Sequence, residues 1–337
     1  MPTNQTLGTA GALVPLGIAK EITAGVPVAP SLFYDYVSAQ FTPTNKLIPH
    51  MGVRNQIDPT LQGAGLFELK GTLEGYVYPD SAGLLLGMAM GSDTVTGAAG
   101  DYLHTFKLHA PKNTFTTSID YGRGVVHQFA GGKVDSFDIS NKAGEFLNIK
   151  LGVQAITDAP LVSSSLSPTY TSLYPFEFGM NNVATINGVS LPASDFSISL
   201  KNNLEPYYAT GSGRFVRGMN EKNVEITGQM TVQAESDFLF QVLYGGGSFA
   251  PGAGPASVVT GLPVIIGFTH PQFVSGTTPY TLTMTLPNVQ FSDAGIDPKR
   301  NNVLTYTIKF SASSSVQGAQ DSLSIAMVNG QATSYVS

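Results

Sequence analysis

The chain has 337 residues, enough for two domains with a core each. Its net charge of −6 argues against sequence-independent binding to the outside of nucleic acid, and the lack of Cys excludes disulfides, thiolate metal sites and thiol nucleophiles. Only 12% of the residues are charged, against about 25% in typical soluble proteins, yet no apolar run reaches the ~20 residues that a membrane-spanning helix needs. We therefore expect much of its surface to be buried against other subunits.

Residues 1–32 show no strong hydrophobic period. The stretch Gly17–Pro30 contains several Gly and Pro residues, which favours an extended N-terminal arm over a core segment. A disordered leader remains the alternative.

A first domain is predicted over residues 33–160. Its central strand is Phe67–Tyr78, where apolar or small residues alternate with polar ones, the pattern of a strand with one buried and one wet face. A short helix is predicted at Asp80–Met90, and the long polar connection Thr42–Gly65 precedes the central strand. The other strands expected in this domain are Leu32–Phe41, Tyr102–Leu108, Thr114–Tyr121, Gly124–Phe129, Val134–Ser140 and Phe146–Ala155.

A second domain is predicted over residues 175–320, because the same pattern returns. Val224–Gln233 repeats the alternation, and Gly228 corresponds to Gly71 at an offset of 228 − 71 = 157 residues. A strand at Phe196–Leu200, a long connection at Lys201–Asn223 and a short helix at Ser236–Tyr244 complete the correspondence. The other strands expected here are Pro263–His270, Tyr280–Leu286, Val289–Phe291 and Val303–Ala312.

Residues 161–174, rich in Ser, Thr and Pro, are the predicted linker between the two domains. Residues 321–337 are expected to form either a closing strand around Ser322–Met327 or an arm onto a neighbour. The predicted fold class is mainly β: two tandem β-sandwich or barrel domains, each with a short flanking α-helix and a long inter-strand loop.

No catalytic constellation is present in the sequence. His104 and His109 are five residues apart, which places them on opposite faces of a strand and argues against a shared metal. The Gly-rich stretches lack the dinucleotide and phosphate-loop patterns, and there is no Gly-x-Ser-x-Gly elbow. Glu68 and Glu74 leave acid–base chemistry open, but a solvated sheet face explains them better. We expect no enzyme activity, no cofactor and no metal.

Several local stretches resemble the tail tube proteins of long-tailed bacteriophages (siphophages), together with the duplicated one-faced sheets and the low charge. These stretches are Gly17–Pro27, Gly52–Arg54, Leu84–Gly91 and Tyr102–Phe106. The resemblance implies a structural virion protein whose β-domains form six-domain rings, and these rings stack into a hollow tube through which DNA is delivered. With two domains in each chain, three chains would form one ring.

The resemblance also implies partners, location and surfaces. The expected partners are further copies of the chain, the tape-measure protein, the tail terminator and baseplate proteins; DNA would pass without specific binding, and no membrane is involved. The expected location is the virion tail, after assembly in the host cytoplasm. The lumen-facing candidates are Glu68, Lys70, Thr72, Glu74, Lys150, Glu225, Thr227, Gln229, Thr231, Thr281, Thr283, Thr285 and Lys309. The candidates for contacts between rings are Arg54, Arg214 and Arg217.

Two alternatives remain open at the level of sequence. One is another ring or cap component of a virion, such as a baseplate, tail-terminator or capsid-decoration protein. The other is a two-domain carbohydrate-binding module, which the absence of Trp disfavours.

Overall fold

A computed structural model describes residues 11–50, 52, 62–98, 100–122, 124–162, 165–171, 173–179, 183–233, 238–244, 261–296 and 304–336. Within these ranges the chain is mainly β, as predicted, with two short α-helices.

Within the described ranges, the first half of the chain holds eleven strands and one α-helix, after a 3-10 turn at Gly11–Leu13. They are β1 Leu16–Lys20, β2 Leu32–Phe33, β3 Tyr36–Pro49, β4 Gln62–Tyr76, α1 Ala82–Met90, β5 Gly91–Ala98, β6 Asp101–Leu108, β7 Phe115–Asp120, β8 Val125–Lys142, β9 Asn148–Ala155, β10 Thr157–Asp158 and β11 Leu161–Val162.

The second half holds ten strands and one helix within the described ranges. They are β12 Val183–Ile186, β13 Val189–Ser190, β14 Ala193–Lys201, β15 Glu205–Tyr207, β16 Gly218–Asn220, β17 Glu225–Gln233, α2 Phe238–Leu243, β18 Leu262–Ser275, β19 Thr278–Ile296, β20 Thr305–Ala312 and β21 Ser324–Asn329.

Eight strands form one continuous antiparallel run, which we call the inner sheet. Its order is β3–β4–β9–β8–β14–β17–β20–β19. The ladder between β8 and β14 joins the two halves of the chain, with Ile139 opposite Ile198. The main-chain hydrogen bonding therefore crosses from one predicted domain into the other without a break.

An outer layer covers the apolar side of the inner sheet. Over the first half it consists of β2, β1, β7 and the N-terminal part of β8 with β10 and β11; over the second half it consists of β12, β18, β21, β6, β5 and the N-terminal part of β19. Aromatic pairs connect the layers: Phe41 stacks on Phe129 at 4.6 Å between centroids, and Phe196 meets Phe268 at 5.9 Å. The buried apolar side chains form a core between the two layers.

The two halves of the inner sheet share one pairing register. Phe41 lies opposite Gly71 and Gly71 opposite Val153; in the second half, Ile198 lies opposite Gly228 and Gly228 opposite Phe310. Each residue of the second set lies 157 positions after its counterpart in the first. The ladder between β8 and β9 and the ladder between β19 and β20 share the same irregularity. One residue is skipped between Val134 and Ser136 in β8, and one between Phe291 and Asp293 in β19.

The helix α1 lies inside the core, and all nine of its residues are buried. Its sequence is apolar on every side, the composition of a helix that is surrounded by protein. Gly91 ends it in the left-handed conformation, with φ of 96°, and donates to the carbonyl of Gly87. A Cβ at Gly83 would lie 2.2 Å from the ring of Tyr335, so glycine there makes room for the C-terminal segment.

Two long strands pass from one layer to the other, where the sequence predicted separate strands. The stretches Gly124–Phe129 and Val134–Ser140 belong to the single strand β8, and Tyr280–Leu286 and Val289–Phe291 belong to β19. The interruption in β8 is Gly131, with φ of 67°, whose N–H donates to the buried carboxylate of Glu21 at 2.7 Å. The strand bends there instead of ending.

The prediction that residues 1–32 form an arm outside the core is wrong for part of that range. Leu16–Lys20 forms β1, which pairs with β7, and Leu16 and Ile18 are fully buried. Alternation does not reveal this strand, because neither face of it is exposed. Part of the predicted linker also forms structure: Leu161–Val162 is β11 and pairs with β8.

A buried histidine anchors the C-terminal segment that follows β21. Nδ1 of His104 lies 3.0 Å from the carboxylate of Asp93, and Nε2 lies 2.8 Å from the carbonyl oxygen of Gln331. Both ring nitrogens therefore face acceptor oxygens, an arrangement that favours the protonated, positively charged ring. Asp93 also accepts the N–H of Tyr335 at 2.8 Å. Burial pushes the pKa of His104 down, but the bonds to Asp93 and Gln331 outweigh it and raise that pKa above its ordinary value.

The corresponding glycines of the two halves should be equally intolerant of a side chain. A Cβ at Gly71 or Gly228 would lie 2.4 Å from the ring of Phe41 or Phe310, respectively. We expect Gly71→Ala and Gly228→Ala each to lower the free energy of unfolding by about 1–3 kcal/mol, since the ring must shift. Gly218→Ala is the matched control, because nothing lies within 4 Å of a Cβ there. Urea unfolding measures all three, and unchanged midpoints for the first two would contradict the packing.

Two histidines should give stability profiles of opposite sign. Because the pKa of His104 is raised in the folded state, its contribution to the free energy of unfolding is complete below its unfolded-state pKa of about 6.5. This contribution is lost as the pH rises through the folded-state pKa. Burial lowers the pKa of His270, so its contribution is full at high pH and lost as the pH falls. Relative to wild type, the stability deficit of His104→Gln should shrink from pH 5.5 to pH 8.5, and that of His270→Gln should grow. Denaturant unfolding across this range measures both deficits, and a pH-independent deficit in either variant would rule out that assignment.

Candidate functional site

The inner sheet carries its polar side chains on the side that faces away from the core, which we call the polar face. In β4, Leu69 and Leu73 are buried in the core, and the alternating residues between them point to the other side. The same alternation runs through the neighbouring strands. The polar face comprises Gln40, Thr42, Thr44, Glu68, Lys70, Thr72, Glu74, Ser136, Asp138, Ser140, Lys142, Asn148, Lys150, Asp195, Ser197, Ser199, Lys201, Glu225, Thr227, Gln229, Thr231, Asp293, Thr307, Lys309 and Ser311.

Acidic and basic side chains of the polar face lie next to each other. The Nζ–Oε2 distance between Lys150 and Glu74 is 3.9 Å, and that between Nζ of Lys309 and Oδ2 of Asp293 is 3.6 Å. Nζ of Lys70 lies 3.8 Å from Oε2 of Glu68. The three lysine side chains are 52–60% exposed, so each pair contributes about 0–1 kcal/mol to stability. Their main effect is to cancel charge on the face.

The strand register places further opposite charges directly across from each other. Asp138 lies opposite Lys150, Lys142 opposite Asp195, and Lys201 opposite Glu225. Near the tip of the β3–β4 hairpin, Lys46 donates to Glu68, and this hydrogen bond raises the pKa of Lys46. The polar face is therefore balanced in charge rather than acidic.

The structure brings most of the predicted polar residues onto this one face, but it separates three of them. Thr281, Thr283 and Thr285 lie in the part of β19 that pairs with β18 and β21, in the outer layer. The sequence shows the same alternation in both parts of β19, and only the pairing reveals that the strand changes layers.

The structure also adds residues that the sequence analysis did not select. Asp138, Ser197 and Ser199 lie on the polar face beside the predicted residues. Polar and apolar residues alternate in β8 and β14 as they do in β4, so the sequence already indicated that each strand has a polar side. The alternation could not predict that β8 pairs with β14. This pairing joins the polar sides of the two halves of the chain into one face.

Of the predicted loop arginines that the structure describes, Arg214 contacts the β3–β4 hairpin, and Arg217 bonds within its own loop. The guanidinium of Arg214 lies 6.0 Å from the centroid of the Phe67 ring and donates to Oδ1 of Asn45, while its carbonyl accepts the N–H of Phe67 at 2.8 Å. The N–H of Arg217 donates to the carbonyl of Tyr207 at 2.8 Å. Arg54 lies outside the described residues. The long loop of the second half thus contacts the hairpin of the first half.

Both ends of the inner sheet are open edges within the described ranges. The strand β3 pairs with β4 alone, and Thr42–Pro49 is exposed. At the other end, Asp293–Ile296 of β19 pairs with β20 alone. Open edges present unpaired N–H and C=O groups that can pair with another chain.

The described part of the chain lacks metal-ligand clusters and membrane-spanning helices. It contains no cluster of three or more His, Cys, Asp or Glu residues that could hold a metal ion. Among the same residues, no helix combines the length and apolar character needed to cross a bilayer.

Comparison with known proteins identifies one family. A family model described as phage tail tube protein matches residues 11–312, which is most of the chain. A comparison with curated proteins finds no match.

Proposed function

Because this chain belongs to the phage tail tube protein family, we propose that it polymerises as stacked trimeric, pseudo-hexameric rings into the hollow tail tube through which DNA is delivered. The observation that carries this proposal is the inner sheet, with its polar, charge-balanced face and two open edges.

The repeated register supports the pseudo-hexameric part of the proposal. The inner-sheet ladders of the two halves correspond at a constant offset of 157 residues, including the irregularity at their last strand pair. We infer that the chain arose by tandem duplication of one β-domain, with the first domain over residues 33–160 and the second over residues 175–320. Three chains would then place six similar units around one axis.

Strand number supports a wide central channel. Three chains with eight inner strands each would give a barrel of twenty-four strands. At a spacing of about 4.8 Å, these strands measure about 115 Å around, which corresponds to a backbone diameter of about 37 Å before strand tilt widens it. Barrels of 16–18 strands already enclose an aqueous channel.

The chemistry of the polar face suits a channel for DNA. If this face lines the channel, each exposed lysine lies beside or opposite a carboxylate, as Lys150 lies beside Glu74 and opposite Asp138. Strong binding to phosphates requires unpaired cationic charge, which releases counterions from the DNA. A balanced surface of Thr, Ser, Gln and ion pairs gives DNA no fixed attachment and lets it slide.

The remaining surfaces are assigned to contacts along the tube. We propose that the β3–β4 hairpin, with Arg214 at its side, and the loops that contain Arg54 and Arg217 contact the next ring. The exposed apolar residues Leu47 and Ile48 near the end of β3 support this assignment, because they are 57% and 61% exposed. The ends of the tube would bind tail terminator and baseplate proteins, and the channel would hold the tape-measure protein during assembly in the host cytoplasm.

Electron microscopy at rising protein concentration tests the proposal. Tubes of constant width are expected, because a hairpin on each ring can contact the next ring without limit. Isolated rings that never stack would favour a cap or terminator instead. Monomers that bind sugars would overturn the assignment.

Charge reversal at Arg214 tests the contact between rings. Arg214→Glu removes the contacts with Asn45 and Phe67, which together stabilise the hairpin by about 1–2 kcal/mol. We expect the critical concentration for tube formation to rise about tenfold. The free energy of unfolding should fall by no more than about 1–2 kcal/mol, which is the contribution of these two contacts.

The matched control is Lys107→Glu, which makes the same charge change at an exposed position of β6 in the outer layer. Sedimentation of polymer from monomer measures both variants. Equal critical concentrations for Arg214→Glu and Lys107→Glu would remove this loop from the ring contact.

A further inference from the structure

The junction between the two halves of the chain is a template for the junction between chains. Inside one chain, Ser136–Lys142 of β8 pairs antiparallel with Asp195–Lys201 of β14. By the offset of 157 residues, β19 takes the place of β8, and β3 takes the place of β14. We propose that Asp293–Ile296 of β19 pairs antiparallel with Phe41–Thr44 of β3 in a neighbouring copy of this chain. This inference rests on the proposed assembly into rings.

The template fixes the register residue by residue. Lys201 lies opposite Ser136 in the chain, so Thr44 of one copy lies opposite Asp293 of the next. Likewise, the pair of Ile198 and Ile139 becomes Phe41 opposite Ile296. The two pairs between them are Pro43 opposite Ala294 and Thr42 opposite Gly295.

The edge of β3 has the exposure that this pairing requires. In the template, Leu200 of β14, the counterpart of Pro43, is fully buried, and strands flank β14 on both sides. The corresponding part of β3 has one flanking strand in the described structure, and Thr42, Pro43 and Thr44 are exposed. Pro43 contributes no N–H to the ladder, a loss that an edge strand tolerates. A neighbouring strand would cover the edge and satisfy its remaining main-chain groups.

The register also keeps the two faces of the sheet continuous between chains. Thr44 shares the polar face with Glu68, and Asp293 shares it with Lys309. Phe41 lies on the core side opposite Gly71, and Ile296 pairs with the buried Tyr306. A slip by one residue would place polar side chains against the core side of the neighbour. The register taken from the template is therefore compatible with the faces of both strands.

Cysteine cross-linking of the full chain tests the register, because the wild type has no cysteine. Thr44→Cys and Asp293→Cys are combined in one chain, since directly opposite residues lie within the 4.4–6.8 Å Cα distance that a disulfide spans. Gln40→Cys with Asp293→Cys is the control, because Gln40 lies on the same face but about 13 Å further along the strand. Lys201→Cys with Ser136→Cys is the positive control, which should form a disulfide within one chain.

Mild oxidation of assembled protein should link Thr44→Cys with Asp293→Cys into covalent dimers and trimers. The rate should exceed that of the Gln40→Cys control by at least about tenfold. If tubes form without this cross-link, or if the control links equally fast, the proposed junction is wrong while the proposed tube still holds. Covalent dimers and trimers without tubes would support the junction and contradict the proposed tube. A wild type that stays monomeric at all concentrations would contradict both.

Hydrogen exchange of the wild type provides a second test that needs no substitution. On assembly, the amides that point to the open edges, among those of Phe41, Thr42 and Thr44 in β3 and of Asp293–Ile296 in β19, should exchange at least about tenfold more slowly. Unchanged exchange in assembled tubes would overturn the proposal even if the cysteine variants failed to fold.

Discussion

The antiparallel ladder between β8 and β14 is the interaction on which the rest of the structure depends. It converts two similar groups of four strands into one inner sheet and makes their polar sides a single face. When an identical unit is added to the edge of a sheet, the added unit has an open edge of its own. Some main-chain N–H and C=O groups therefore always remain unpaired in an open sheet. Ring closure is the arrangement that pairs every edge, and this need links the fold to the proposed assembly.

The two sides of the inner sheet serve different purposes. The apolar side packs against the outer layer and the buried helix α1, and this packing supplies the stability of each unit. The polar side needs no partner in the folded chain, because its charges are already paired or opposed across the strands. The low charge content of the chain is consistent with this division, since few side chains are left to carry a strong field.

Local patterns predicted much of this arrangement. The alternation in Phe67–Tyr78 and Val224–Gln233 located β4 and β17, and the offset of Gly71 from Gly228 recurs in the ladders. Contacts between distant residues could not be predicted. These include the burial of β1, the bond from His104 to Gln331 and the passage of β8 between layers at Gly131, where the sequence predicted two separate strands. Periodicity reports which side of a strand is wet, but it does not report which strand lies beside it.

The central claim is that the polar face of the inner sheet lines a channel closed by three chains. A cryo-electron microscopy reconstruction of the assembled protein tests this most directly. We predict exact threefold and approximate sixfold symmetry, with twenty-four strands around the channel and the side chains of Thr72, Lys150 and Gln229 pointing inward. A channel lined by the outer layer, or a ring in which the two halves of the chain occupy dissimilar positions, would contradict the account.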